Sequence, residues 1–176
     1  MNNKILVTYA SRTGSTAEVA QAISRTLAES GVQVDVILMQ DVKDLSLYRA
    51  VIVGSAIRKS KWLPEAVQFV RAHQDTLRHK SFAMFTVCIT LARSNNEQYR
   101  SAVSGWVAPI RALVKPLSEG LFAGRLDFSK LPLTWDTLML RATVAAGIFP
   151  RGDHRDWNAI RIWAESLKPV LGVRGD

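Results

Sequence analysis

The sequence has little of what disulfide-linked or membrane-spanning proteins need. Cys88 is the only cysteine among 176 residues, so no disulfide can form within the chain, and a reducing compartment is expected. Charged residues interrupt every apolar run well before the roughly 20 residues that a membrane-spanning helix needs. The first residues lead directly into a short apolar run, without the pattern of a secretory signal peptide. We therefore expect a cytoplasmic protein.

Acidic residues are also fewer than basic ones. The chain has 15 Asp and Glu against 23 Lys and Arg, a formal net charge of +8, and its pI is near 10.1. This balance favours an anionic partner or surface but selects no function by itself. The 48% of apolar and 22% of charged residues are typical of a globular chain, and we expect residues 1–176 to form one domain.

Strand patterns alternate with helix patterns along the chain. Short apolar runs predict five strands, over residues 5–9, 32–38, 50–54, 82–89 and 117–123. Helical spacing of apolar residues follows the first, third, fourth and fifth of them. Pro109 is expected to kink or end the helix over 96–114, and two later helices are expected around 131–148 and 156–167. The alternation implies parallel strands joined by right-handed crossovers, and hence an α/β three-layer sandwich.

The loop after the first strand has the composition of a phosphate site. In an open parallel sheet, ligands bind beyond the carboxyl ends of the strands, so the loops after strands one, three and four are the candidates. The first of these, residues 11–16, carries four hydroxyl side chains and one glycine and joins a strand directly to a helix. Backbone N–H groups, hydroxyls and the positive end of a helix dipole suit a phosphate. Capping of the helix by a single hydroxyl, from Ser11, Thr13 or Ser15, is the alternative.

Other phosphate-handling classes lack their residues here. The sequence has no G-x-x-x-x-G-K-[ST] loop and no G-x-G-x-x-G turn after a strand. A response-regulator receiver needs acidic residues where this chain has Tyr9 and Gly54. Cys88 and Arg93 are too close for a cysteine phosphatase loop, so we interpret Cys88 as a strand residue that lines a site rather than as a nucleophile. No metal site is expected.

The loop also resembles that of a known family. Ser11-Arg12-Thr13-Gly14-Ser15-Thr16 is similar to the [ST]-x-T-G-x-T loop with which flavodoxins hold the phosphate of FMN. Further segments are similar to the menaquinone-dependent protoporphyrinogen dehydrogenase branch of that family. They are residues 53–58, 69–73, 91–93, 122–130 and 156–157. Members of that branch have a longer stretch before the Asp156-Trp157 pair, whereas only residues 149–155 stand there in this chain; His154 in it is interpreted as a surface histidine.

The resemblance implies a flavodoxin-like fold with strand order 2-1-3-4-5, one bound FMN and three cofactor-binding segments. Trp62 would stack on the flavin, or else be an exposed or helix-capping residue. Arg58 and Arg93 would stabilise the reduced flavin or bind substrate carboxylates, or else be surface charges. The implied cofactor-binding residues are Ser11, Arg12, Thr13, Gly14, Ser15 and Thr16; Ser55, Ala56, Ile57, Arg58 and Trp62; and Val87, Cys88, Ile89, Thr90, Leu91, Ala92 and Arg93.

The implied function is an FMN-dependent oxidoreductase that passes reducing equivalents from a tetrapyrrole, such as a porphyrinogen, to a quinone. The alternative is a flavodoxin that carries electrons between redox proteins, but such carriers are usually acidic and this chain is basic. Residues 131–148 are expected either to contact a membrane surface or to pack on the sheet. No nucleic-acid partner is expected, because no aromatic and basic stacking surface is evident.

Overall fold

The computed structural model of the chain describes residues 4–93, 96–130 and 133–173. Within them, the main sheet contains β1 (Lys4–Ala10), β2 (Gln33–Leu38), β3 (Ala50–Arg58), β4 (Lys61–Trp62), β5 (Ser81–Cys88) and β6 (Ser118–Ala123). The parallel strands have the order β2-β1-β3-β5-β6, and β4 pairs antiparallel to β3. The α/β class and the order 2-1-3-4-5 of the parallel strands are confirmed, with β2 at an edge; β4 was not predicted.

Helices cover both faces of this sheet. The helices in the described part of the chain are α1 (Ser15–Ala28), α2 (Pro64–Ala72), α3 (Gln74–Arg78), α4 (Asn96–Leu113), α5 (Trp135–Ala145) and α6 (Trp157–Val170). Successive residues of a strand point to opposite faces, so Ile5 packs in a core with α1 and α6, whereas Leu6 packs in a second core with α2 and α4. Burial on both faces explains why the central strands β1, β3 and β5 are largely apolar. No helix in the described part of the chain is both long and apolar enough to cross a membrane.

The helix α4 continues through Pro109 to Leu113, so Pro109 does not end it. Pro109 is exposed, while Val107 and Ile110 beside it are buried in the core that α4 shares with α2. Tertiary packing of an amphipathic face contributes more to a helix than one internal hydrogen bond does. The proline is therefore tolerated on the solvent side.

A long connection, residues 124–156, joins β6 to α6, and we call it the edge segment. It begins with β7 (Arg125–Leu126) and returns through β8 (Gly152–Asp153), and these two strands pair antiparallel as a short ribbon. The helix α5 lies between them, within the predicted 131–148, of which residues 131 and 132 lie outside the described residues. Thr134 caps α5 by accepting a hydrogen bond from the Thr137 N–H. As its contacts below show, the segment reaches the carboxyl ends of β1, β3 and β5.

Candidate functional site

The parallel register brings the carboxyl ends of three strands level. Ala10 of β1 pairs with Ser55 of β3, and Ala56 pairs with Val87 of β5. The turn over residues 11–16 therefore lies near the β3–β4 hairpin and the residues that follow β5. These are the three segments where the sequence predicts a ligand.

The turn over residues 11–16 leaves the start of α1 open to an anion. Gly14 occupies the N-cap position with φ +86°, a left-handed conformation that glycine adopts without strain, and it has no side chain to cap the helix. The Gly14 N–H donates to Ser11 Oγ at 3.1 Å, outside the helix. The first intrahelical bond runs from Glu18 N to Gly14 O, so the N–H groups of residues 15–17 have no acceptor within α1. The alternative in which one hydroxyl caps the helix is wrong.

Two hydroxyls in the first turn of α1 differ in their partners. Ser15 Oγ accepts a hydrogen bond from the backbone N–H of Arg125 at 3.3 Å. Thr16 is 1% exposed, and its Oγ1 has no hydrogen-bond partner among the described residues. An unsatisfied buried hydroxyl costs roughly 1–3 kcal/mol, and an anionic oxygen at this helix end would satisfy it. The turn thus fits a phosphate group, and we call residues 11–16 the phosphate turn.

Arg12 lies in the turn, but its guanidinium is bound elsewhere. It forms a bidentate ion pair with Glu65 in the first turn of α2, with 2.9 Å from Nη2 to Oε2. The hydrogen bonds from Arg12 lower the pKa of the Glu65 carboxyl. Only the backbone of Arg12 is therefore left for the predicted phosphate contact.

The segment after β3 is a hairpin rather than an open loop. Ser55 is buried, and its Oγ donates to Ala56 O and accepts from the Leu63 N–H. Lys59 and Ser60 have positive φ values of 50° and 58° and turn the chain back into β4. The half-buried residues are Ala56 and Ile57.

The predicted stacking of Trp62 on a flavin is wrong, and so are its exposed and helix-capping alternatives. Trp62 is 3% exposed and belongs to the core beneath α2 and α4. Its Nε1 donates to Thr86 Oγ1 at 2.9 Å. The reason is the pairing of Ile57 with Trp62 in the hairpin, which folds the indole back onto the sheet. Both faces of the ring are thereby covered by protein.

The segment after β5 leaves only part of its surface accessible. Val87, Cys88 and Leu91 are buried, so a cofactor would contact them through the backbone. Burial raises the pKa of the Cys88 thiol above its usual range, which agrees with an unreactive strand residue. A short 3₁₀ helix, Ile89–Ala92, follows. Its half-buried residues are Ile89, Thr90 and Ala92.

Arg58 and Arg93 both contact the edge segment. Arg58 Nη2 lies 3.3 Å from Asp136 Oδ2 at the start of α5, and Lys59 Nζ lies 3.2 Å from the same oxygen. The hydrogen bond from Lys59, and then that from Arg58, lowers the pKa of Asp136. The Arg93 guanidinium lies 4.3 Å from the Tyr99 ring centre and 5.4 Å from that of Phe149. Binding of flavin or substrate by these two arginines stays a prediction.

Sequence reasoning missed an ionic cluster beside the phosphate turn. Glu18 in α1 binds Arg155 at 2.8 Å and Arg125 at 3.3 Å, and Asp153 binds Arg155 through Nε at 2.7 Å. The stretch 149–155 was interpreted only as a shortened connection. Glu18 was a partial signal, because a carboxylate in the first turn of a helix that held a phosphate would need a cation; it did not indicate which arginines supply the charge. His154 is half-buried, and its Nε2 donates to Arg151 O.

A basic and aromatic cavity of about 420 Å³ opens next to this cluster. The guanidinium groups of Arg141 and Arg151 lie 5.3 and 5.5 Å from the centre of the Phe128 ring. The positive charge and the aromatic ring suit an anionic, partly apolar ligand. The cavity is lined by Arg125, Leu126, Asp127, Phe128, Arg151 and Gly152.

Three solved structures resemble the fold along most of this chain. A short-chain flavodoxin associated with a PDU bacterial microcompartment is 15% identical and covers 96% of this chain and 98% of its own, with a TM-score of 0.61. The flavodoxin of Streptococcus pneumonia TIGR4 is 16% identical and covers 94% and 98%, with a TM-score of 0.56. The Flv1 flavodiiron core of Synechocystis sp. PCC6803 is 16% identical, with a TM-score of 0.57, and covers 96% of this chain but 36% of its own. At these identities the likeness shows the fold alone.

Sequence comparison identifies the family. No curated protein matches the chain. The sequence model of the flavodoxin domain, however, matches residues 6–146, which include the phosphate turn, most of β1 and the other four parallel strands. The buried, unpartnered Thr16 hydroxyl at the open end of α1 agrees with the phosphate that a flavodoxin cofactor carries. The chain therefore belongs to the flavodoxin family, and its cofactor is FMN.

Proposed function

We propose that the protein is an FMN-dependent oxidoreductase that takes reducing equivalents from an anionic tetrapyrrole, a porphyrinogen, and passes them to a quinone. The observation that carries the proposal is the cationic and aromatic edge segment next to the phosphate turn. Arg141, Arg151 and Phe128 belong to it, and Arg58 and Arg93 contact it. The sequence segments that resemble the protoporphyrinogen dehydrogenase branch support the same proposal.

The chemistry of a porphyrinogen suits this face of the molecule. Its propionate carboxylates would form charge-assisted hydrogen bonds with arginines, each worth roughly 1.5–3 kcal/mol. Its broad apolar ring would lie against Phe128 in the wall of the cavity. The excess of 23 Lys and Arg over 15 Asp and Glu would also attract such an anion from a distance.

The proposed electron acceptor is a lipid-soluble quinone, reached at a membrane surface. Trp135 is 75% exposed and Leu133 78% exposed, and Arg141 and Arg151 are exposed nearby in the chain. Apolar side chains flanked by arginines favour the interface of an anionic bilayer. Among the described residues of the edge segment, the large exposed apolar residues are Leu133, Trp135, Leu138, Met139 and Ile148.

The overall reaction balances without a further reactant. FMN supplies a ring that accepts two electrons from one reactant and releases them to another. Each two-electron oxidation of the porphyrinogen releases two electrons and two protons, which reduce one quinone to the quinol. The residues of this chain would bind the substrate, orient it and hold the flavin in place.

The test is anaerobic oxidation of protoporphyrinogen with a menaquinone analogue, followed by porphyrin fluorescence. We expect turnover that needs both the FMN-loaded protein and the quinone. Free FMN at the same concentration and the protein stripped of FMN are the controls. A rate no higher than that of free FMN would contradict the proposal.

The second candidate is an electron carrier between redox proteins. The observation that favours it is the likeness in fold to a short-chain flavodoxin along 98% of that chain. A carrier would reduce a protein acceptor, such as a cytochrome, and would not oxidise a porphyrinogen. Stopped-flow reduction of cytochrome c by the reduced protein, measured beside the porphyrinogen assay, separates the two candidates.

A further inference from the structure

A carboxylate lies at the helix end where the cofactor phosphate is expected. Glu18 is in the first turn of α1, four residues after the N-cap Gly14. The positive end of the helix dipole and the unpartnered Thr16 Oγ1 both favour an anion at this end. An unneutralised Glu18 would repel a phosphate dianion bound at this helix end, because like charges disfavour each other.

Two arginines of the edge segment neutralise Glu18. Arg155 Nη1 lies 2.8 Å from Glu18 Oε2, and Arg125 Nη2 lies 3.3 Å from Oε1. The Arg155 side chain is 2% exposed, and its guanidinium lies 4.4 Å from the centre of the Trp157 ring. Asp153 completes the group by binding the Nε of Arg155 at 2.7 Å. The two positive and two negative charges of these four residues cancel.

Backbone contacts hold this group against the phosphate turn. Arg125 pairs with Asp153 across the β7–β8 ribbon. The Arg125 N–H donates to Ser15 Oγ at 3.3 Å, which fixes the ribbon to the first turn of α1. Asp153 Oδ1 also accepts the backbone N–H of Arg155 at 3.1 Å. The position of the Arg155 guanidinium is therefore determined by three separate partners: Asp153, Glu18 and Trp157.

We propose that Arg155 is a positioning residue for the FMN phosphate. Arg155 acts by neutralising Glu18 and by holding the Glu18 carboxylate within the four-residue cluster. Through this cluster the edge segment raises the affinity of the protein for FMN without contacting the isoalloxazine ring. The inference depends on the phosphate turn and not on the identity of the substrate. It would stand even if the protein were an electron carrier.

The test compares FMN with riboflavin, which has the same ring but no phosphate. Dissociation constants are measured by quenching of flavin fluorescence with the full-length chain stripped of FMN. For Arg155→Met we expect the Kd of FMN to rise at least tenfold and that of riboflavin to change less than twofold. Adding Glu18→Gln to Arg155→Met removes the repelling charge and should return the Kd of FMN to within threefold of the original protein.

The matched control is Arg161→Met. Arg161 pairs with Glu29 at 3.9 Å, near the other end of α1, and its loss should leave both flavins unaffected. Raising the salt concentration should reduce the effect of Arg155→Met, because the repulsion is screened. Equal weakening of FMN and riboflavin would mean that Arg155 only maintains the fold, and an unchanged Kd of FMN would mean that the cluster does not act on the phosphate. Either result overturns the inference.

A variant that keeps Arg155 tests the inference whether or not Arg155→Met folds. Glu18→Gln alone leaves one uncompensated positive charge in the cluster. We expect it to lower the Kd of FMN at least threefold and to leave that of riboflavin unchanged. An unchanged or higher Kd of FMN in this variant would also overturn the inference.

Discussion

The phosphate turn and the edge segment lie at the same end of the sheet but are held in different ways. The turn joins β1 to α1, which pack against each other in one core, and it is fixed by short local bonds such as that from Gly14 N to Ser11 Oγ. The edge segment is held largely by charged side chains and aromatic rings, such as Arg58 on Asp136 and Arg93 on Phe149. Exposed ion pairs are weak and screened by salt. The phosphate turn thus belongs to the core of the fold, whereas the edge segment, which would select a partner, is attached to it largely by charge.

The largest effect is expected in the sheet. In Gly54→Ala, the new Cβ would lie 2.0 Å from Cζ of Phe85, whose ring is completely buried. Overpacking at this position should lower the free energy of unfolding by about 3 kcal/mol. Gly105→Ala in α4 is the control, because its Cβ meets nothing within 4 Å, and it should stabilise by about 0.5–1 kcal/mol. Urea unfolding of both variants measures this, and equal stabilities would contradict the close contact.

The next effect is expected in the phosphate turn. Thr16→Val removes the hydroxyl that has no protein partner. The FMN-free protein should be at least as stable as before, while FMN binding weakens by about 2 kcal/mol. Thr26→Val is the control, since Thr26 Oγ1 already donates to Ala22 O within α1. Calorimetric titration with FMN decides the point: an unchanged affinity in Thr16→Val would remove this hydroxyl from the phosphate site.

The arginines that contact the edge segment come third. If Arg58 and Arg93 bind substrate carboxylates, Arg58→Ala/Arg93→Ala should raise KM for protoporphyrinogen at least tenfold, about 1.4 kcal/mol. FMN occupancy and the rate of reduction by dithionite should be little altered, and the salt dependence of kcat/KM should flatten. Arg161→Ala, on the outer surface of α6, is the control for lost surface charge. Equal KM values would make Arg58 and Arg93 ordinary surface charges.

A smaller effect is expected on the binding of the protein to lipid vesicles. Trp135 and Met139 are 75% and 52% exposed and lie one turn apart on α5. Trp135→Ser/Met139→Ser should reduce co-sedimentation with phosphatidylglycerol-containing vesicles about fivefold. Ile162→Ser, at a 61% exposed residue of α6, should not. Binding of the original protein to pure phosphatidylcholine vesicles as strongly as to anionic ones would contradict a role for charge.

The smallest effect concerns pH. The hydrogen bond from Arg155 lowers the pKa of Asp153 below its ordinary value of 3.8. A lowered folded-state pKa stabilises above the unfolded pKa, and the contribution is lost as the pH falls through the folded value. As the pH falls below about 4, through the lowered folded-state pKa of Asp153, the edge segment should therefore lose amide-exchange protection before β1, β3 and β5 do. Asp153→Asn should remove that pH dependence; simultaneous loss across the chain would show that both regions open together.

The buried strands and the phosphate turn could be predicted from the sequence, because each is encoded in a short run of neighbouring residues. Residues 5–9 and 50–54 are apolar on both faces, as buried parallel strands must be, and residues 11–16 carry their hydroxyls and glycine in one run. The position of Trp62 was not predictable in the same way, because it depends on a hairpin whose turn uses Lys59 and Ser60 at positive φ instead of glycine or asparagine.

The ionic cluster was missed for a related reason. Arg155 and Glu18 are 137 positions apart, and no pattern within a helix or strand reports a pair at that separation. Charged residues are usually solvated surface residues, so a buried arginine has no local signature. Its burial follows only from the return of the chain through β8 to the start of α1.

The edge segment leaves and re-enters the fold at a single point. The His154 N–H donates to Gly124 O at 3.3 Å, so the chain arrives back almost where it departed, between β6 and α6. A few residues would suffice to join β6 to α6 directly, and the entropy of closing a loop grows only slowly with its length. The segment is in this sense an insertion that evolution or an engineer can lengthen, shorten or exchange. Relatives with the same sheet and the same phosphate turn can thereby differ in what approaches the flavin.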